Sequence, residues 1–363
     1  MRLPTIGSDA AKIDEAEAIR MIRYAIDSGV NYVDSAYGYH RGFSEVVVGK
    51  ALSDGYREKV RLATKMPTWL VNSQDDMDRY LNEQLTRLGT DRIDFYLLHG
   101  LGKERWPKLR DFGVMEWMEA QRDGGKIGHI GFSFHDDYTV FKEIIDGYGG
   151  WEFCQIQYNY MDTEYQAGTR GLEYAASRGL AVVIMEPIAG GRLAMKPPEE
   201  VQKIWDEAQV KRTLAEWALL WVWNRPEVSV VLSGMSTMNQ VEENVRTASL
   251  SGPGTLRLEE LDLIERVKRK YMEMGFIVCT GCGYCLPCPQ GVEIPKIFRF
   301  YNEYYTKNRY EEVKNRYGEH IPSESQAKRC VRCKRCEQLC PQKLPISDLL
   351  NGAAQIFESE RGT

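Results

Sequence analysis

The chain is 363 residues long, 43% hydrophobic and 27% charged, with a net charge of -5. This length exceeds an ordinary single domain and has room for an eightfold β/α barrel of ~250 residues plus a smaller module. The acidic balance gives no reason to expect nucleic acid as a partner. The longest apolar run, Trp217 to Trp223, is far short of the ~20 residues that span a bilayer. The sequence does not open with a basic segment and an apolar core, so a cytoplasmic protein without a membrane partner is expected.

From residue 13 to about 250, helical and strand patterns alternate with short turns. Asp14 and Glu17 predict a capping box for a helix that lines up Ile19, Ile22 and Ile26 and stops at Gly29. The stretch Asn31 to His40 reads as a short buried strand ending in Asp34, followed by a polar aromatic loop through Gly38 to Tyr39. Taken alone it fits a ligand-binding strand end and an ordinary helix-capping turn equally well. A helix over about Ser44 to Leu52 follows, then a strand from Val60 to Ala63 reaching Lys65. Next comes a helix with Met77, Leu81, Leu85 and Leu88 on one face, closed by Gly89. A third strand, Ile93 to Leu98, ends in His99. Strands are also predicted at Ile127 to Phe132, Phe153 to Gln157, Leu180 to Met185 and Val228 to Leu232.

Strands alternating with helices make a parallel sheet with right-handed crossovers. The first strand is not followed by a Gly-rich dinucleotide fingerprint, and seven units are many for an open sheet, so the predicted fold is α/β, a (β/α)8 TIM-type barrel. Its first strand is expected to be truncated, because Met1-Arg2-Leu3-Pro4 can supply only the tail of an eighth strand; either the start lies upstream or another segment fills the gap. After Gly254 a helix over about Leu258 to Met274 leads into a cysteine-rich tail. The expected domains are a barrel over residues 1–274 and a small helical ferredoxin-like domain over 275–363. Phe298, Tyr301, Tyr304 and Tyr305 form an aromatic stripe read as core rather than as a cofactor contact.

Three consecutive strands end in Asp34 (with Tyr39 five residues on), Lys65 and His99, which gathers four polar side chains on one rim. The bland reading is a structural ion pair and a satisfied rim histidine. The sharper one makes Tyr39 a proton donor to a carbonyl oxygen as hydride reaches its carbon. Lys65 would lower the phenol pKa, Asp34 would hold Lys65, and His99 would bond the carbonyl. Here the sequence resembles the aldo-keto reductase family: Asp34-x4-Tyr39, Ala63-Thr64-Lys65-Met66 and Asp94-Phe95-Tyr96-Leu97-Leu98-His99 look like its catalytic segments in order and spacing. The resemblance runs from Met1 to about Leu250. It implies a barrel that binds NADP or NAD and reduces a small-molecule carbonyl, or oxidises the alcohol. It also implies that Ser133 and Gln155 contact the nicotinamide amide, with Phe134 standing where the family usually has Asn. Met185-Glu186-Pro187 lies where an aromatic residue commonly stacks on the nicotinamide. Gly234 and Ser236, with Gln240, Glu243 and Asn244 on the helix that follows, are similar to the family's phosphate and adenine site. Gln240 sits where NADP-specific members often have Arg.

Only Cys154 of the nine cysteines precedes residue 279. The others form two runs, Cys279-x2-Cys282-x2-Cys285-x2-Cys288-Pro289 and Cys330-x2-Cys333-x2-Cys336-x3-Cys340-Pro341. Three thiolates spaced three apart wrap one cubane, and a fourth followed by Pro serves the other cluster. The prediction is two 4Fe-4S clusters, one on Cys279, Cys282, Cys285 and Cys340, the other on Cys330, Cys333, Cys336 and Cys288. Zinc sites usually join two pairs across a loop, which fits four cysteines in a row less well. The basic residues Lys328, Arg329, Arg332, Lys334 and Arg335 raise the second cluster's potential, dock an acidic electron carrier such as ferredoxin, or form a solvated face.

Nicotinamide moves two electrons as a hydride whereas each cluster moves one, so a coupled enzyme needs a bridge, for which a flavin in the barrel mouth is one candidate. Without coupling, the clusters serve architecture. A reading from another class is an iron-sulfur electron-transfer protein whose barrel is a docking scaffold that no longer uses nicotinamide.

Overall fold

Seven parallel strands lie in sequence order in the computed structural model, which describes residues 2–7, 9–279, 281–306 and 310–358. They are β1 (Tyr32–Asp34), β2 (Arg61–Met66), β3 (Ile93–Leu101), β4 (Ile127–Phe134), β5 (Phe153–Gln157), β6 (Ala181–Met185) and β7 (Val228–Val231). The helices between and after them are α1 (Glu15–Asp27), α2 (Ser44–Ala51), α3 (Gln74–Leu88), α4 (Arg105–Asp111), α5 (Val114–Asp123), α6 (Tyr138–Asp146), α7 (Gly168–Ser177), α8 (Glu199–Asp206), α9 (Leu214–Trp223), α10 (Met238–Ser249), α11 (Leu258–Glu273), α12 (Ile294–Thr306), α13 (Tyr310–His320), α14 (Arg335–Leu339) and α15 (Ile346–Phe357). Local chemistry sets the ends. Asp14 accepts from the Glu17 amide at 3.1 Å, Ser73 caps α3, and Gly89 closes it in the left-handed region at φ 63°.

The barrel is nearly closed: β1 pairs with β2, β6 pairs with β7, and no ladder joins β1 to β7 among the described residues. The expected eighth strand is not formed by the described N-terminal residues. Instead, Arg2 lies against Gly234 beyond β7, the Leu3 amide donates to His40 Nε2 at 3.0 Å, and Thr5 makes one antiparallel bridge to Ile13. Met1, the start of the predicted remnant, lies outside the described residues.

The chain forms two units, residues 1–187 with 218–255, and residues 188–217 with 256–363. These units are interleaved along the chain, because the segment around α8 packs with the residues after 255. Arg266 pairs with Glu207 at 2.7 Å, Arg212 pairs with Glu260, and Arg192 Nη1 donates to the Ile277 carbonyl at 2.7 Å. In the first unit the period-two alternation of the strands sorts side chains. Ala63, Leu97, Phe153 and Val183 fill the barrel interior, while Leu62, Tyr96, Leu98, Ile130, Phe132 and Ile184 face the surrounding helices. Gly131 is required there, since a Cβ would meet the Phe153 ring at 2.4 Å. The second unit has its own core, with Phe298 buried and Tyr301 and Tyr304 packed against it, as the stripe predicts. The Tyr305 side chain lies outside the described residues. Among the described residues no helix is long and apolar enough to cross a membrane.

Candidate active site and cysteine loops

Asp34, Lys65, His99, Ser133 and Gln155 sit on the same alternation as the interior layer, one step nearer the carboxyl end. Lys65 is fully buried. Its Nζ donates to Asp34 Oδ1, Asp34 Oδ2 and the Ser35 carbonyl, all at 2.7 Å. All three ammonium donors are therefore used, which is what a buried cation requires.

Tyr39 begins a 3-10 turn, Tyr39–Gly42, in which His40 and Arg41 take left-handed φ of 51° and 55°. Its ring lies edge-on to His99 with centroids 5.9 Å apart, and Lys65 Nζ is 5.2 Å from the ring centre. The four predicted residues thus meet on one rim. The phenol pKa departs from expectation, however: burial, then the charges of Asp34 and Glu186, push it well above its usual value. Lys65 does not win because both oxygens of Asp34 already face its charge. Burial, with the charges of Lys65, His135 and Arg105, holds His99 well below the usual imidazole value. Its buried Nδ1 has no hydrogen-bond partner among the described residues.

The remaining predicted contacts are less uniform. Ser133 Oγ accepts from the Gly100 amide at 2.8 Å. Gln155 donates to Met185 Sδ at 3.7 Å, while its buried Oε1 has no partner among the described residues, an orphaned acceptor that fits an amide donor such as a nicotinamide carboxamide. Phe134 is fully buried, its ring 5.0 Å from that of Phe141, so it serves the core where an Asn would face a ligand. Beyond β7, Thr237 caps α10, Gln240 Oε1 accepts from the Ser236 amide at 2.8 Å, and Asn244 donates to Ser233 Oγ at 2.9 Å. Gly234 sits beside Arg2, and Glu243 lies a turn beyond Gln240 on α10. Glu186, placed by the sequence reading only at a nicotinamide-stacking position, has a charge that reaches Tyr39 and pairs with Arg2 at 3.9 Å; the neighbour that reading missed is Trp69, 5.2 Å from the His99 ring. Glu186 follows directly on β6, the strand-end signal that singled out His99; Trp69 lies in the 3-10 turn Thr68–Leu70 after β2 and gave none.

In the tail the cysteines group crosswise. Cys279, Cys282, Cys285 and Cys340 line one apolar cavity with Ile294, Phe298 and Leu344. Cys336 feels Cys330 from its own run and Cys288 from the other. Burial pushes the Cys285 thiol up to about 12 and Cys336 up to about 11. Among the described residues no group of three or more His, Cys, Asp or Glu is set to hold a metal ion, and the four cysteines around one apolar cavity are the donor types that a 4Fe-4S cluster takes.

Comparison with known proteins agrees with this geometry. Residues 4–253 match the aldo/keto reductase family, and residues 278–344 match a 4Fe-4S dicluster domain. The chain is 26% identical over 301 residues to the NADH-specific methylglyoxal reductase of Escherichia coli, covering 70% of this chain and 90% of that protein. Among solved structures it is similar to the holo form of aldo-keto reductase AKR11C1 from Bacillus halodurans (27% identity, TM-score 0.61, 73% of this chain and 91% of that one). It is also similar to an aldo/keto reductase from Klebsiella pneumoniae in complex with NADP and acetate (26%, TM-score 0.59, 74% and 90%). The chain belongs to the aldo-keto reductase family, carries a C-terminal 4Fe-4S dicluster domain, and is an oxidoreductase.

Proposed function

We propose that the barrel reduces a small-molecule carbonyl with hydride from NAD(P)H, or runs the reverse oxidation, and that the tail holds two 4Fe-4S clusters. The observation that carries the first part is the convergence of Asp34, Tyr39, Lys65 and His99 on one rim. Tyr39 supplies the proton to the carbonyl oxygen. Its raised pKa keeps that proton in place across the physiological range until negative charge develops on the oxygen. Neutral His99 orients the carbonyl through a ring nitrogen, and the Lys65–Asp34 pair fixes the charge beside the phenol. Ser133 and Gln155 hold the nicotinamide amide. Gly234, Ser236, Gln240, Glu243 and Asn244 receive the phosphates and adenine. When bound, the cofactor supplies hydride.

For the tail, Cys279, Cys282, Cys285 and Cys340 hold one cluster and Cys330, Cys333, Cys336 and Cys288 the other, supplying one-electron chemistry; a flavin at the barrel mouth is the bridge that coupling to hydride would need. The buried Phe134 and the Met185 sulfur favour a second reading, a barrel that no longer uses nicotinamide and serves as an electron-transfer scaffold. Fluorescence titration with NADH and NADPH separates the two: saturable binding, with methylglyoxal reduction that Tyr39→Phe abolishes, supports the reductase, and no saturable binding supports the scaffold.

A further inference from the structure

The two cysteine runs wrap similar loops with opposite surface chemistry. From Cys279 to Val292 there is no charged residue, whereas Lys328 to Lys343 holds six basic residues and one acidic, on a chain whose net charge is -5. The contrast is sharpest around the middle cysteine of each run. Cys282 is flanked by Gly281 and Gly283, both left-handed at φ 69° and 80°. Cys333 is flanked by Arg332 and Lys334, also left-handed at φ 55° and 60°. The same backbone path is therefore made by glycine in one run and by two long cations in the other, at a strain that glycine avoids.

Among the described residues the nearby carboxylates offset only part of the patch, which carries five cations from Lys328 to Arg335. Glu337 accepts from the Ser347 amide and hydroxyl, Glu358 accepts from the Ala327 and Lys328 amides, and Asp348 pairs with Arg332. Lys328, Arg329, Lys334 and Arg335 are exposed and make no ion pair among the described residues. Two apolar side chains, Val331 at 62% exposure and Leu339 at 49%, stand among them, and Cys333 itself is exposed. A charged ring around apolar residues beside a redox site is the pattern by which a weak electron-transfer encounter is steered and then seated.

We propose that this face docks an acidic one-electron carrier protein, a ferredoxin with a negatively charged surface, and that Arg332 and Lys334 are kept in strained positions for that contact. The proposal rests on the reading that the second run holds a cluster. The test uses the full chain purified anaerobically, its iron content measured in parallel, and an acidic plant-type [2Fe-2S] ferredoxin titrated by calorimetry at low and high salt. Binding at low salt that weakens roughly tenfold or more at high salt is expected. The double variant Arg332→Gly/Lys334→Gly should keep its iron and thermal stability while binding roughly tenfold or more weakly, as should the triple variant Lys328→Glu/Arg329→Glu/Arg335→Glu. A purely structural role for the two cations would instead lower iron content or stability and leave binding per folded molecule unchanged, which overturns the proposal. Iron-replete protein that does not bind, or equal binding of basic cytochrome c, overturns the docking alone. Protein that takes up no iron overturns the cluster reading and the docking with it.

Discussion

The barrel rim and the cysteine loops solve the problem of burying reactive groups in opposite ways. On the rim the one buried cation is satisfied by the chain itself: Lys65 spends its three donors on Asp34 and Ser35, while Tyr39 and His99 are held neutral by burial and neighbouring charge. In the loops the buried groups are thiols that crowd one another. Cys285 and Cys336 are buried thiols pushed up to about 12 and about 11, by burial first and then by the neighbouring cysteines gathered around them. A rim of this kind is built by folding alone, whereas loops that hold the proposed clusters would need their metal to complete the structure.

The sharpest way to break this comparison is to remove iron. Anaerobic chelation should unfold much of the tail while the barrel persists, seen as loss of part of the helical circular dichroism with a separate, unchanged barrel transition on heating; one cooperative loss of everything would refute the division. Changing Tyr39→Phe should lower carbonyl reduction by about 10²–10⁴-fold at unchanged melting temperature, read from steady-state kinetics and calorimetry. Asp34→Ala leaves the Lys65 ammonium buried and unpaired. It should cost about 3–5 kcal/mol in urea unfolding, with Asp34→Asn costing less.

The smallest effect is a pH dependence. His99 and His135 both titrate below their ordinary value of 6.5 in the fold, His135 at about 4, because burial disfavours the charged ring. Below about pH 6.5 the unfolded chain binds protons that the native chain does not, so this contribution is fully present above 6.5 and is lost as the pH falls towards 4. Urea midpoints should decline across that window, and His135→Gln should flatten the decline.

Legibility in the sequence followed how local each signal was. The seven strands were readable because each buried apolar run is bounded by its own turn chemistry, and Phe153 to Gln157 matches the observed strand residue for residue. Asp34, Lys65 and His99 were readable because each ends such a run. The spacing and the Pro after each put Cys340 with the first run and Cys288 with the second, and Cys340 lines one cavity with Cys279, Cys282 and Cys285 while Cys288 lies within electrostatic reach of Cys336. Phe134 could be flagged as a departure, but only its packing against Phe141 tells what it does instead.

By itself, then, the sequence determined the alternating barrel and the dicluster tail, and it pointed to the residues proposed for the rim and the clusters, because periodicity, turn residues and ligand spacing act over a few positions. The tertiary structure decided the direction of the Tyr39 shift, the place of Glu186 and Trp69 beside the rim, the packing of the α8 segment with residues after 255, and the strained cations around Cys333. Those depend on burial, on charges far apart in sequence and on backbone angles, which exist only once the chain has closed on itself.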